Sequence, residues 1–240
     1  MELKICHLYP DVMNLSGDRG NVICMEKRLS WRGIEVVTTG ITVGEPLNAA
    51  EFDLFFLGNG QPFAQQLLLE DAAQKKAQLQ ASVEDGAVLL AICGGYQLLG
   101  NTYETESGEI FEGLGLLNVR TVCGKKRLVG DYAFACKDPE TTVVGFENHS
   151  GMTWLEEGVQ PLGRTREGHG NNGEDGTEGA RYKNVFASYA HGSLLPKNPA
   201  LCDHILKIAL ERKYGADDLT PLDDAVELAA HDYVENRLSK

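Results

Sequence analysis

One short segment combines the residue types that nucleophilic catalysis requires. Residues 87–97 read Ala-Val-Leu-Leu-Ala-Ile-Cys-Gly-Gly-Tyr-Gln, so an apolar run ends at Cys93 and two glycines precede a helix-like stretch. This order is typical of a nucleophile elbow, a sharp strand-to-helix turn that presents a reactive side chain. The positive end of the helix would favour the thiolate of Cys93. A buried core cysteine is the competing interpretation, but the strand–Cys–Gly–Gly–helix order favours catalysis.

A thiolate nucleophile needs a nearby base to take and return protons. Of the six histidines, His191 stands at the end of an apolar run and is followed by a glycine. It would meet Cys93 if both strands join the same sheet. His149, which follows another strand-like run, is its competitor. His7 lies in the first predicted strand, and His169 lies in a polar segment. His204 and His231 lie in two predicted helices, where surface positions are expected.

Strands and helices alternate around these residues, which predicts an α/β fold with a mostly parallel central sheet flanked by helices. The strands are predicted at 3–9, 34–39, 54–57, 87–92 and 185–191, and the helices at 21–32, 63–83, 201–214 and 222–238. Ligands bind such sheets beyond the carboxyl ends of the strands, where both Cys93 and the Gly58–Gly60 loop fall.

The second half of the chain has weaker patterns. Short β-like runs are predicted between residues 119 and 144, and the polar, glycine-rich segment 164–183 is predicted to be a mobile loop. We expect one domain over residues 1–240, with a C-terminal helical extension at about 216–240.

Composition limits the classes of function. The 240 residues are 42% apolar and 24% charged, as in ordinary globular proteins. A net charge of −13 argues against nucleic-acid binding. No apolar run is long enough to cross a bilayer, and no signal peptide is evident, so a cytoplasmic location is expected. The six scattered cysteines form no C-x-x-C pair and are expected to be reduced.

Several of these motifs resemble those of a known family. The Cys93–Gln97 turn and the late strand that ends in His191 are similar to class I glutamine amidotransferases, which have a flavodoxin-like fold. The resemblance is closer to their cobyric acid synthase-like branch and extends to the glutaminase subunits of lipid II isoglutaminyl synthases. Four further stretches carry it: Tyr9-Pro-Asp-Val-Met-Asn-Leu with Gly17-Asp-Arg-Gly-Asn21, Gly145-Phe-Glu-Asn-His-Ser-Gly-Met-Thr153, the glycine-rich stretch 168–179 and Tyr189-Ala-His-Gly192.

The resemblance implies that the chain hydrolyses L-glutamine to glutamate and ammonia. The ammonia would pass to a Mur ligase-like subunit (MurT) in a heterodimer, which uses ATP to amidate the α-carboxylate of D-glutamate in lipid II during peptidoglycan synthesis. Because the acceptor would be lipid II, the resemblance also implies that the heterodimer acts at the inner face of the membrane. The chain has no G-x-x-x-x-G-K-[ST] motif. ATP and Mg²⁺ are therefore expected on the partner, with no metal or cofactor in this chain.

The same resemblance implies roles for individual residues. Cys93 attacks the glutamine amide to form a thioester, and His191 moves the protons. The N–H groups of Gly94 and of the loop ending at Gly60 form the oxyanion hole. Two side chains would contact the substrate: Gln97, and the guanidinium of Arg127, which suits its α-carboxylate. A solvated basic cluster is the other interpretation of Arg127.

The sequence departs from the family pattern at two positions. Class I enzymes typically carry His-x-Glu, whose carboxylate orients the imidazole, whereas this chain has His191-Gly-Ser193. His191 would then act in a dyad, or a carboxylate would come from the partner, in which case the isolated chain hydrolyses glutamine poorly. The other departure is Asn59, where the subfamily often has glycine.

Three alternatives stay open. The chain could be an amidotransferase subunit for another acceptor such as a corrinoid, although those enzymes usually fuse a synthetase domain that 240 residues leave no room for. It could be a cysteine hydrolase or peptidase of the DJ-1/PfpI type, against which Gln97 and the glycine-rich stretch argue. A binding subunit without activity would need neither Cys93 nor His191.

Overall fold

The computed structural model describes residues 1–60, 62–216 and 219–238. Its strands, in chain order, are β1 (Glu2–Leu8), β2 (Glu35–Ile41), β3 (Leu54–Leu57), β4 (Val88–Ile92), β5 (Thr102–Glu104), β6 (Ile110–Glu112), β7 (Val119–Lys137), β8 (Glu140–Leu155), β9 (Gly163–Glu167), β10 (Thr177–Glu178), β11 (Ala180–Tyr182) and β12 (Val185–Ser188). Its α-helices are α1 (Arg19–Ser30), α2 (Pro62–Glu84), α3 (Gly94–Leu99), α4 (Pro199–Tyr214) and α5 (Ala225–Leu238).

The first sheet contains the five predicted strands together with β11, which the sequence did not predict, in the order β11-β12-β4-β3-β1-β2. All neighbouring pairs are parallel except β11 with β12, which is antiparallel. Every residue of β3, β4 and β12 is buried, as expected of parallel strands that are covered on both faces. The α/β class and the mostly parallel central sheet are therefore confirmed. The carboxyl ends of β1, β3, β4 and β12 lie side by side.

The second sheet differs from the prediction. Instead of short broken runs, β7 and β8 are strands of 19 and 16 residues that pair in antiparallel register over most of their length. A register shift between Cys123 and Leu128 interrupts the pairing. Strands β5, β6, β9 and β10 complete this sheet. The glycines and charges that suggested interruptions are tolerated because part of the hairpin is exposed.

The prediction of a mobile loop over 164–183 is wrong. This segment contains three short strands, and Asn171 and Glu178 within it are fully buried. The Asn171 side-chain amide donates hydrogen bonds to Thr177 Oγ1 and Gly179 O, at 3.0 and 2.9 Å. Polar side chains that bond to the segment's own backbone thus replace the apolar packing whose absence suggested mobility.

The helices fall close to their predicted positions. Of the C-terminal extension predicted at about 216–240, the structure describes residue 216 and residues 219–238, which contain α5, while 217–218 and 239–240 lie outside the described residues. The surface position expected for His231 is wrong: this residue is buried, and its Nδ1 lies 2.9 Å from Lys197 O. His204 is half-buried. Among the described helices, none is both long and apolar enough to cross a membrane.

Candidate active site

Cys93 occupies the turn between β4 and α3, as the sequence predicts. Its backbone has φ 49° and ψ −101°, a left-handed-side conformation that is uncommon for a residue with a side chain. Such strain is typical of a nucleophile elbow. The next turn requires glycine, because a Cβ on Gly95 would lie 2.5 Å from Leu57 O and 2.7 Å from Gly58 O. The cysteine is 6% exposed.

His191 lies three residues beyond the end of β12, the neighbour of β4. Its backbone N–H donates a hydrogen bond to Phe146 O at 2.8 Å, which fixes the segment against β8. The side chain is buried. Burial alone would lower the pKa of His191, but the carboxylate of Asp18 and the thiolate of Cys93 outweigh it and raise this pKa to about 10. The structure thus brings the predicted nucleophile and the predicted base into electrostatic contact.

A third charged group, Asp18, comes from the segment between β1 and α1. It is fully buried, and its Oδ1 lies 3.9 Å from Nδ1 of His191. Its Oδ2 accepts a hydrogen bond from the backbone N–H of Asn59 at 2.7 Å. The carboxylate therefore stands between the histidine and the Gly58–Gly60 loop.

The Gly58–Gly60 loop lies beside Cys93 and is held by Asn59. The carbonyl oxygen of Asn59 accepts a hydrogen bond from Leu15 N at 2.8 Å. Its side-chain oxygen accepts one from Gly94 N at 3.0 Å. Gly60 is buried in the same loop. Both predicted sources of the oxyanion hole, Gly94 and this loop, are therefore adjacent in the structure.

Gln97 belongs to a buried polar network behind the nucleophile. Its side-chain nitrogen donates a hydrogen bond to the hydroxyl of Tyr189 at 3.2 Å, and that hydroxyl lies 2.6 Å from Thr153 Oγ1. His149 stacks on the Tyr189 ring with centroids 3.6 Å apart. Since Nδ1 of His149 lies 2.7 Å from Gly151 O, that nitrogen carries the proton. Burial lowers the pKa of His149 to about 4, so this ring is neutral.

Arg127 lies at the register shift of β7 and is exposed. Its guanidinium is bound by the opposite strand: Nε donates to Asn148 Oδ1 at 2.5 Å, and one terminal nitrogen donates to Asn148 O at 3.2 Å. The positive charge of Arg127 acts to lower the pKa of His149 and that of Tyr103. The pKa of His149 also responds to His191, and the pKa of Tyr103 also responds to Cys93. Arg127 therefore belongs to the electrostatic surroundings of the site.

Sequence reasoning missed Asp18 and the hydrogen bond of the Asn59 side chain. The run Gly17-Asp18-Arg19-Gly20-Asn21 was a signal, because a charged residue between glycines just before a helix is a strong position for a functional group. Nothing in the spacing, however, indicated that residues 18 and 191 meet. His7 is buried in β1, and burial lowers its pKa to about 4.

A cysteine on an elbow beyond a parallel strand, with a histidine beyond the neighbouring strand, is an arrangement typical of cysteine-dependent amide hydrolases. The chain belongs to the family of CobB/CobQ-like glutamine amidotransferase domains, whose model matches residues 4–199.

Two relatives are similar to almost the whole chain. The GatD subunit of the glutamine-hydrolysing lipid II isoglutaminyl synthase of Streptococcus pneumoniae is 38% identical over 92% of this chain and 85% of that subunit. The GatD subunit of the same enzyme in Staphylococcus aureus is 39% identical over 100% of this chain and 97% of the subunit.

A solved structure supports the fold independently. The crystal structure of a glutamine amidotransferase from Thermotoga maritima superimposes with a TM-score of 0.57 over 98% of this chain and 94% of that one, at 13% identity. The fold is therefore that of class I glutamine amidotransferases.

Proposed function

We propose that this chain is the glutaminase subunit of a lipid II isoglutaminyl synthase, and that it hydrolyses L-glutamine to L-glutamate and ammonia. The observation that carries the proposal is the pairing of Cys93 with His191 at the ends of adjacent strands. The substrate class is supported by the similarity to two GatD subunits along nearly the whole chain.

The first step is attack of the Cys93 sulfur on the side-chain amide carbon of glutamine. His191 takes the thiol proton, and the carbonyl π electrons move to oxygen as the C–S bond forms. The raised pKa keeps this proton on His191, so Cys93 attacks as the thiolate and the imidazolium holds the proton that ammonia needs when it leaves. The N–H groups of Gly94 and Gly60 are the proposed donors to the oxyanion.

The second step releases ammonia. His191 returns its proton to the amide nitrogen, the C–N bond breaks, and a γ-glutamyl thioester remains on Cys93. Water then attacks the thioester while His191 takes a proton from it, and the C–S bond breaks to give glutamate. Return of that proton to the sulfur restores the starting state.

Substrate recognition is assigned to Arg127 and Gln97. The guanidinium of Arg127 is anchored by Asn148 through two of its nitrogens, which preorganises it for a carboxylate. Gln97 lies on α3, one turn after Cys93, and its amide is oriented by Tyr189. We assign the α-carboxylate of glutamine to Arg127 and a contact with the substrate to Gln97.

The acceptor reaction is assigned to a partner subunit. We propose that a Mur ligase-like chain binds ATP and Mg²⁺, receives the ammonia, and amidates the α-carboxylate of D-glutamate in lipid II. Because ammonia is protonated readily in water, the partner should dock over the Cys93 site. The complex would work in the cytoplasm, at the inner face of the membrane.

The test is ammonia release from L-glutamine by the purified chain, alone and with the Mur ligase-like partner, ATP and lipid II. Wild type should release ammonia, and Cys93→Ala should abolish it, while Cys123→Ala, a cysteine outside the elbow, should not. Formation of D-isoglutamine in lipid II identifies the acceptor. Absence of ammonia release from wild type with all components present would refute the proposal, and release without lipid II amidation would redirect it to another acceptor.

A further inference from the structure

The carboxylate of Asp18 does not cap the helix that follows it but is directed towards two other segments of the site. It occupies the position before the first turn of α1, where an aspartate ordinarily accepts hydrogen bonds from the helix N–H groups. Here its carboxylate makes no capping bond. It is instead fully buried and points to Asn59 N, at 2.7 Å, and to His191 Nδ1, at 3.9 Å.

The hydrogen-bonding state of both side chains supports an interaction between Asp18 and His191. Oδ1 of Asp18 and Nδ1 of His191 are buried, and neither has another hydrogen-bond partner among the described residues. Buried polar atoms are nearly always paired. A separation of 3.9 Å between opposite charges is a close ionic contact, and a small shift would close it to a hydrogen bond.

The segment that carries Asp18 is also bound to the segment that carries His191. The Ser193 hydroxyl donates a hydrogen bond to Gly17 O at 2.9 Å, and Leu195 N donates one to Asn21 Oδ1 at 2.9 Å. The fit is tight, because a Cβ on Gly20 would lie 2.1 Å from Ser193 Oγ. Ser193 stands where class I enzymes typically have glutamate, and here it holds the segment that supplies a carboxylate.

We propose that Asp18 is the positioning residue of this site: one carboxylate oxygen orients and charges the His191 imidazole, while the other holds the oxyanion loop through Asn59 N. The inference rests on the proposed glutaminase function and deepens it. It replaces the expectation of a carboxylate from the partner with one from this chain. The chain would then form a complete Asp–His–Cys unit by itself.

The other charged groups around His191 and Asp18 do not supply this interaction. His149 lies near His191, but burial lowers its pKa to about 4, so it is neutral at physiological pH. His7 lies near Asp18, and burial likewise lowers its pKa to about 4. Arg19 and Glu26 act on His7, and Arg127 acts on His149. Among the described residues, Asp18 and Cys93 are the groups that raise the pKa of His191 most strongly.

The test compares Asp18→Asn with Asp53→Asn. Asp53 is a matched control, because it is also buried and also accepts a backbone hydrogen bond, from Lys4 N at 2.7 Å, at the start of β3 and therefore away from the site. Asp18→Asn should lower kcat for glutamine hydrolysis by about 10²- to 10⁴-fold with little change in KM. Asp53→Asn should leave kcat unchanged.

A second readout reports the charge on His191 without glutamine turnover. The rate of Cys93 alkylation by iodoacetamide should depend on pH through His191, and in Asp18→Asn the transition assigned to His191 should move down by about one unit or more. Asp53→Asn should keep the wild-type profile. A folded Asp18→Asn protein with wild-type kcat and an unchanged alkylation profile would overturn the proposal.

One further measurement covers the case of a variant that does not fold. If Asp18→Asn does not fold, the ring ¹⁵N signals of His191 are titrated instead in Cys93→Ala, which lacks the thiolate that also raises this pKa. Protonation that persists well above pH 6.5 supports the proposal, and a midpoint at or below the ordinary value of 6.5 overturns it. Loss of the proposed function would appear differently, as wild-type protein that fails to release ammonia although its alkylation profile and His191 titration are as expected.

Discussion

The backbone N–H of Gly94 donates a hydrogen bond to the side-chain oxygen of Asn59, at 3.0 Å. Gly94 is the residue after the nucleophile, so this N–H is a predicted donor to the oxyanion. In this structure the donor is therefore already satisfied by the enzyme's own amide. In the proposed mechanism, the oxyanion must displace the Asn59 side chain before Gly94 can stabilise it.

Removing that side chain should accelerate hydrolysis. In Asn59→Ala the Gly94 N–H has no competing acceptor, and the backbone N–H that Asp18 holds is kept. Because a neutral hydrogen bond contributes about 0.5–1.5 kcal/mol, kcat should rise by about 2- to 10-fold. Steady-state ammonia release by the isolated chain measures it.

Asn59→Asp is the matched control for this change. It keeps an acceptor near Gly94 and adds a negative charge beside the developing oxyanion, so kcat should fall. A decrease in kcat for Asn59→Ala would instead mean that the amide holds Gly94 in its productive position.

Arg127 should determine affinity for glutamine rather than the chemical step. Loss of a charge-assisted contact with the α-carboxylate costs about 1.5–3 kcal/mol, so Arg127→Gln should raise KM by about 10- to 100-fold with kcat largely kept. Arg120→Gln is the control on the same strand, because Arg120 is also exposed but packs over the Trp154 ring. Equal KM values for wild type and Arg127→Gln would leave Arg127 as part of a solvated basic cluster.

Glu178 should make stability depend on pH. It is fully buried, and burial together with the neighbouring Glu147 raises its pKa to about 7, against the hydrogen bonds from Ser188, Tyr189 and Tyr132. Between pH 4.5 and about 7 the unfolded chain loses this proton while the folded chain keeps it. The Glu178 contribution to stability is therefore complete below pH 4.5 and is lost as pH rises through about 7.

Glu178→Gln should remove this dependence of stability on pH. The difference in free energy of unfolding between the variant and wild type should shift in favour of the variant by on the order of 3 kcal/mol between pH 4.5 and about 8. Urea denaturation at several pH values gives the difference, with the exposed Glu174→Gln as control. A difference that does not vary with pH would show that Glu178 is ionised throughout.

The contact between the two catalytic segments can be tested by a repair. Gly20→Ala should destabilise the chain and slow hydrolysis, because its Cβ would lie 2.1 Å from Ser193 Oγ and 2.8 Å from Ser193 Cβ. Ser193→Gly removes both atoms, and its positive φ of 50° suits glycine. The double variant should therefore recover part of the lost melting temperature, as differential scanning calorimetry would report. If the double variant recovers none of the lost melting temperature, the destabilisation by Gly20→Ala does not come from the contact with Ser193.

Local patterns predicted most of the first sheet and the centre of the site. The runs that form β3, β4 and β12 are short and continuously apolar, which is typical of buried strands. The Cys93-Gly-Gly order specifies a turn that local sterics enforce. The position of His191 followed once both strands belonged to one sheet.

Other features depend on contacts between distant residues. Asp18 and His191 are 173 positions apart, from their residue numbers, and no local pattern records that they meet. Asn171 and Glu178 are buried by hydrogen bonds, so a prediction from apolar periodicity leaves them in a loop. The long β7–β8 hairpin was fragmented in the prediction because its exposed parts lack strand-like alternation.

The most direct test of Cys93 as the nucleophile of a glutaminase is covalent labelling with a glutamine-mimicking electrophile, followed by peptide mapping by mass spectrometry. We expect a single adduct on Cys93, slowed by L-glutamine and lost in Cys93→Ala, with the other five cysteines unlabelled. An adduct on another cysteine, or labelling of Cys93 that L-glutamine does not slow, would contradict the assignment of this site as a glutaminase.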